Sequence, residues 1–284
     1  MQAEIKSKRK RPLSLILKIL VAAAALITFA ALIFIIAYIL INGIPYLKPS
    51  LFALEYNSEN VSMLPSLINT IQMTVLALII AVPLGVFTAI YLVEYAKKGS
   101  KLVEVIRMTA ETLSGIPSIV YGLFGMLFFV QRLQMGLSLI SGALTVAIMI
   151  LPLVIRTTEE ALISVPQMYR EASFGLGAGK LRTVFRAVLP SAVPGILAGV
   201  ILAIGRIVGE TAALIYTAGT VAEIAVGSDF LLDSTRTLAV HMYILSSEGF
   251  HTGEAYATGV VLLIMVFVIN ALSNIAAKKI GVNK

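Results

Sequence analysis

Two opposite charges sit in an otherwise oily run, GVILAIGRIVGETAALIY at 199–216: Arg206 and Glu210. A full charge at the centre of a bilayer costs about 2.5–3.5 kcal/mol even on the mildest insertion scale, so their presence asks for a chemical reason. A guanidinium stays protonated, and its planar fork takes an oxyanion through paired hydrogen bonds. A carboxylate four residues on shares the helix face and would neutralise the arginine until an anion competes for it. Such a pair suits weak, reversible passage of an oxyanion, because tight binding would block release. The competing reading is a salt bridge that ties the helix to its own face or to a neighbour. Gly205 with Gly209, and Gly195 with Gly199, form the small-xxx-small spacing that lets membrane helices approach closely. Arg156, in ILPLVIRTTEEAL, is a second candidate for the path, or an arginine snorkelling from a helix end.

The elements that must hold these charges are membrane spans. The 284 residues are 58% hydrophobic and 13% charged, far from the roughly one-quarter charged residues of soluble domains. Mean hydropathy is +0.95. There is no cysteine, which excludes disulfides and thiolate metal sites, and two histidines are too few for a His-rich metal centre. The net charge of +7 could suggest nucleic acid, but the basic residues form no single stripe. Crossing about 30 Å of hydrocarbon takes roughly 20 apolar residues. Six stretches meet or approach that length, at 19–41, 67–92, 116–130, 137–155, 192–218 and 255–277. The basic KSKRKR at 6–11 precedes an apolar run too long for a signal-peptide core, so an uncleaved anchor is expected. Segments 1–18, 93–111, 156–191 and 278–284 hold 6, 4, 5 and 3 basic residues, whereas the opposite side holds only Lys48, Arg132 and Arg236. By the positive-inside rule both termini are cytoplasmic. His241 and His251 fall on the outer side and are expected at the surface. Ser114 and Ser118 flank a Gly-Ile-Pro break and read as caps, with hydroxyls available to a path.

The loop after the fourth stretch has internal order. Ser164 and Pro166 resemble a helix start, Gly175, Gly177 and Gly179 break the chain, and Leu181, Val184, Phe185 and Val188 recur at helical spacing. Two short helices with an elbow are expected, ended by Leu189-Pro190. Periodicity alone also allows a basic amphipathic hairpin resting on headgroups.

This loop resembles the cytoplasmic signature of ABC importer permeases, carried here by Glu171, Ala172, Gly177, Leu189 and Pro190. Ser173 and Ala187 depart from the usual alanine and isoleucine but stay small or apolar. SGIPSIVYGLFG (114–125), ILPLVIRTTEEAL (150–162), REASFGLGAGK (170–180) and GRIVGETAALIYTAG (205–219) narrow the resemblance to the A-type permease subunits of bacterial phosphate importers. STRTLAVHMYILSSEG (234–249) leans the same way. The resemblance covers about residues 65 to 275. It implies an all-α integral membrane protein with six transmembrane helices and the type I importer permease fold. The first helix, 19–41, would be peripheral to a permease domain at 65–277, with a coupling loop at about 164–190 flanked by cytoplasmic termini 1–18 and 278–284. It also implies residues Arg206, Glu210 and Arg156 in a phosphate path and Glu171, Ala172, Gly177, Leu189 and Pro190 in contact with an ATPase. The implied partners are a related C-type permease, two cytoplasmic ATPase subunits, an extracytoplasmic phosphate-binding protein and membrane lipid, with no nucleic acid.

No Walker-type GxxxxGK[ST] occurs; GLGAGKLR at 175–182 has the wrong spacing. ATP would therefore be used by a partner, with no cofactor or metal on this chain. A self-sufficient secondary transporter or channel would explain buried charge but not the glycine-elbowed loop. An intramembrane enzyme is disfavoured, since no span pairs a nucleophile with a base. Within the importer reading, sulfate or molybdate is the alternative cargo.

Overall fold

In the computed structural model, residues 12–97 and 99–282 are described. The basic run at 6–11 and most of the expected 1–18 terminus lie outside them, as do residues 283–284 of the expected tail. The described residues form helices joined by turns and loops, with no strand among them. Among the described residues, five helices are long and apolar enough to cross a membrane, or six if one bent pair counts as a single span.

Helix α1 (Pro12–Gly43) packs along α11 (Thr252–Val282). Helix α2 (Leu64–Ile90) runs on through a wide turn, Tyr91–Tyr95, and packs along α5 (Leu139–Ser164), which in turn packs on α8 (Leu189–Val208). Association between apolar helices in lipid rests on close van der Waals fit rather than on hydrophobic burial. The sequence supplies that fit with small residues. A Cβ on Gly85 of α2 would fall 2.6 Å from Val154 Cγ1 of α5. A Cβ on Gly195 of α8 would fall 2.7 Å from Ala161 Cβ, and one on Gly199 would overlap Thr157 Oγ1. Around these contacts Met73, Met149, Ile150, Ile207 and Leu214 are fully buried.

The expected third span is instead a bent pair. Helix α3 (Lys101–Ser114) meets α4 (Ser118–Gly125, extended to Arg132) at 103°. Gly115-Ile116-Pro117 makes the corner, because proline disfavours helical geometry in the residue before it. Tyr121 Oη donates to the Leu113 carbonyl at 2.7 Å and closes it. Polar residues hidden in the segment 93–111 thus lie on a helix packed against α5.

The fifth stretch also differs from expectation. Helix α8 stops at Val208, and α9 (Ala212–Thr217) begins after the break at Gly209–Thr211. Near the start of α2, Asn69 donates to the Glu223 carbonyl at 2.8 Å and accepts from Ala225 N at 3.2 Å, pinning the long loop that leads to α10 (Leu238–Glu248). Thr70 Oγ1 accepts from Leu238 N at 2.8 Å at the start of α10.

The loop between α5 and α8 comprises α6 (Gln167–Gly175), an elbow, and α7 (Lys180–Thr183). Ser164 ends α5, donating to the Ala161 carbonyl, rather than capping α6. The second arm does not end at Leu189-Pro190. It runs on through a wide turn at Val184–Val188 into α8. Proline is tolerated in the first turn of a helix, and the wider turn ahead of it absorbs the change in hydrogen-bond register.

Candidate functional site

A cavity of about 330 Å³ opens between α3, α5 and α8, in the half of the bundle that carries the α6–α7 loop. Arg107, Glu111 and Ser114 line it from α3, Arg156 and Glu159 from α5, and Arg206 from α8. Arg156 reaches it because α5 continues past the expected end of the fourth span, so Thr157 to Glu160 extend a spanning helix. Arg206 reaches it from the last turn of α8.

The charges are arranged unequally. Arg107 donates to Glu159 Oε1 from Nε at 3.2 Å and Nη2 at 3.0 Å. Arg156 Nε donates to Glu160 Oε1 at 3.1 Å across one helical turn, with both side chains about two-thirds exposed. So exposed a pair is worth little and opens readily. Arg206 is half-buried and has no carboxylate within 4.0 Å among the described residues. The cavity therefore offers one guanidinium without a carboxylate partner among the described residues, beside two others paired with Glu159 and Glu160.

Glu210 is not part of this arrangement. The helix break removes it from the face of Arg206, and the two form no ion pair. Glu210 is 7% exposed, and its Oε1 accepts from Ala213 N at 3.0 Å, capping α9. The two glycine pairs separate in the same way. Gly195 and Gly199 hold α8 against α5, whereas a Cβ on Gly205 would meet nothing. The surface beside Arg206 is left open in this chain.

The signature residues of the loop lie apart from the cavity. Glu171, Ala172 and Gly177 are exposed, and Leu189 and Pro190 are half-buried at the start of α8. Gly177 has a φ of +81°, a left-handed conformation that costs any residue with a Cβ. Met168, Tyr169 and Leu176 are exposed around it, Leu176 at 89%, so this elbow presents an apolar surface.

Arg107 and Glu111 were not singled out from the sequence. They fall at i and i+4 in the segment 93–111 taken for a cytoplasmic loop, and with Ser114 at i+7 just beyond it they make one polar helix face, and that spacing is the signal. His241 corrects another expectation, because it is fully buried rather than at the surface. The Tyr56 ring packs edge-on against it at 6.1 Å and also lies under the Arg236 guanidinium at 4.6 Å. Burial first, and then the charge of Arg236, push the His241 pKa down to about 3. The Val61 backbone pulls the other way, but neither ring nitrogen is in hydrogen-bonding geometry.

Residues 81–281 match the family described as binding-protein-dependent transport system inner membrane component. The chain belongs to this permease family. It is 35% identical over 272 residues to the probable ABC transporter permease protein YqgI of Bacillus subtilis, covering 90% of this chain and 91% of that one. It is 36% identical over 215 residues to the phosphate transport system permease protein PstA 1 of Mycobacterium tuberculosis, covering 76% and 69%. To the PstA of Yersinia pestis it is 38% identical over 212 residues, covering 73% and 68%. Among solved structures, the inward-facing MetNI methionine ABC transporter aligns with a TM-score of 0.59 at 19% identity, over 77% of this chain and 94% of that one. A bacterial alginate ABC transporter in complex with its periplasmic protein aligns with a TM-score of 0.66 at 14% identity, over 93% and 94%. At such identities the likeness is one of fold, and the fold is that of a type I ABC importer permease. The expected all-helical permease architecture is borne out, and the protein is a multi-pass component of a membrane transport system.

Proposed function

We propose that this chain is the A-type permease subunit of an ATP-driven importer of inorganic phosphate, with both termini cytoplasmic. The observation that carries the reading is Arg206: a half-buried guanidinium without a carboxylate within 4.0 Å among the described residues, lining a cavity shared with Arg156 and Arg107. The identity to PstA proteins of two genera supports phosphate as the cargo.

Bare phosphate in hydrocarbon is prohibitively costly, of the order of tens of kcal/mol. The cavity lowers that cost by fixed donors. Phosphate bridges the Arg206 fork and then competes with Glu160 for the exposed Arg156. Glu111, Glu159 and Glu160 keep the site nearly neutral overall, so the anion is held weakly enough to leave. Glu210 stays with α9 and keeps the end of α8 in place.

One chain leaves the cavity and the Gly205 surface open, and a related C-type permease would close them. A pair of ATPase subunits would dock on Glu171, Ala172 and the Gly177 elbow, while Leu189 and Pro190 join the loop to α8. An extracytoplasmic phosphate-binding protein would meet the outer loops. The chain itself binds no cofactor, and ATP is used by the partner. ATP-driven movement of the loop then biases the bundle between outward- and inward-open states.

The test is uptake of labelled phosphate by the reconstituted permease–ATPase complex with its binding protein. ATP-dependent uptake that excess sulfate does not suppress is expected. Equal competition by sulfate or molybdate, or uptake by this chain alone, would overturn the assignment.

A further inference from the structure

The coupling loop needs a joint to the spans, and one arginine outside the recognised signature is built as one. Arg170 stands next to Glu171 on α6, yet its side chain is only 11% exposed while its neighbours Met168 and Tyr169 face outward. Its guanidinium reaches two other helix ends. Nε and Nη2 donate to Glu94 Oε1 at 3.0 and 2.7 Å, across 76 residues of sequence. Nη1 donates to the Val165 carbonyl at 2.9 Å and Nη2 to the Leu162 carbonyl at 3.0 Å. Glu94 lies in the wide turn Tyr91–Tyr95 that ends α2, and its side chain is 9% exposed. Leu162 and Val165 sit at the end of α5, where the Leu162 carbonyl receives only a long bond from Val165 N at 3.4 Å and a positive charge is favoured.

Two further contacts attach the same unit. Ser173 and Thr183 hydroxyls hydrogen-bond at 2.8 Å between the two arms of the loop, and Lys180 Nζ lies 5.1 Å over the Tyr95 ring. Beneath them Ile90, Leu162, Val184 and Val188 share one buried apolar cluster.

We infer that the Arg170–Glu94 pair is the joint through which motion of the coupling helix is passed to the ends of α2 and α5. The inference rests on the importer reading above and deepens it. A buried ion pair is seldom a net source of stability, and apolar replacements often serve as well. What this pair adds is direction: a rigid fork satisfied on both sides cannot slide, whereas apolar packing alone can. Lysine's three donors radiate from a single nitrogen, so they lack the spread, planar fork by which Nε, Nη1 and Nη2 of Arg170 meet partners on two helix ends. Arg170 is thus a positioning residue, touching neither cargo nor ATP.

The experiment measures ATP hydrolysis and phosphate uptake in the same proteoliposomes containing the whole complex. For Arg170→Gln and Glu94→Gln the complex assembles and hydrolyses ATP, but ATP consumed per phosphate imported rises at least tenfold; Arg170→Lys falls between these and wild type. Because the chain has no cysteine, Glu94→Cys with Arg170→Cys can be joined by a short thiol-specific linker, and the joined form recovers coupling relative to the unjoined one. An unchanged ratio in both Gln variants overturns the joint, as does loss of the ATPase from every variant complex or a joined pair that stays uncoupled. Failure of wild type to import phosphate at all overturns the importer reading instead.

Discussion

Arg206 and Glu210 are four residues apart in sequence yet serve different parts of the structure. Helix α8 ends between them at Val208, leaving Arg206 on the cavity and Glu210 hydrogen-bonded to Ala213 N at 3.0 Å. Substitutions at the two positions should therefore diverge. Arg206→Gln is expected to abolish phosphate uptake while the complex still assembles and binds its ATPase. Glu210→Gln keeps an acceptor oxygen for the cap and should retain most uptake. Glu210→Ala removes the cap and should cost about 1 kcal/mol of stability. Uptake assays and thermal unfolding in detergent separate these outcomes, and wild-type transport by Arg206→Gln would remove the path assignment.

Gly177 turns the elbow between α6 and α7 with a φ of +81°, and among the described residues nothing lies within 4 Å of where its Cβ would be. Space is therefore not the constraint; backbone conformation is. Gly177→Val should cost about 1–2 kcal/mol locally and reshape the surface around Leu176. Co-purification of the ATPase is expected to fall several-fold, while Gly177→Asn, which tolerates this region better, falls less. Equal retention by both variants would contradict a docking role for the elbow.

The two glycine pairs of α8 make opposite predictions. Gly199→Val drives a side chain into Thr157 of α5 and should destabilise the isolated chain by about 1–3 kcal/mol. Gly205→Ala meets no atom outside its own helix among the described residues and should leave the chain at least as stable, since alanine favours a helix over glycine by about 1 kcal/mol. If the open face receives the second permease, Gly205→Leu will weaken co-purification of that subunit without lowering the melting temperature of this one.

His241 introduces an acid sensitivity. Its folded pKa, about 3, lies below the ordinary histidine value of 6.5, so the unfolded state binds more protons between those values. Stability is complete above pH 6.5 and declines as pH falls below it. The loss at pH 5 is about 2 kcal/mol relative to pH 7.5. Tyr56 and Arg236 are the groups packed around the ring, and the Arg236 charge works in the same direction. Thermal unfolding in detergent across this range should show the slope in wild type and lose most of it in His241→Phe. A slope that persists in that variant would point to another group.

Much of this protein is written in local properties of its sequence. Hydropathy sets where α1, α2, α5 and α11 run, because a span must satisfy its own backbone and match the bilayer whatever its neighbours do. Lysine and arginine counts set the expected orientation, again a property of each loop by itself. The glycine-elbowed loop between α5 and α8 is legible from Glu171, Gly177 and Pro190, and the candidate arginines from their cost in oil. Tertiary structure decided the partners. Whether Glu210 faces Arg206 or caps α9 depends on a helix break that hydropathy cannot register. The gathering of Arg107, Arg156 and Arg206 at one cavity depends on how α3 folds back at 103° and crosses α5. Arg170 finds Glu94 across 76 residues, and His241 disappears beneath Tyr56, for the same reason. Side-chain spacing is fixed along one helix, but which helices meet, and at what angle, is settled only when small residues such as Gly85 and Gly199 let particular faces close.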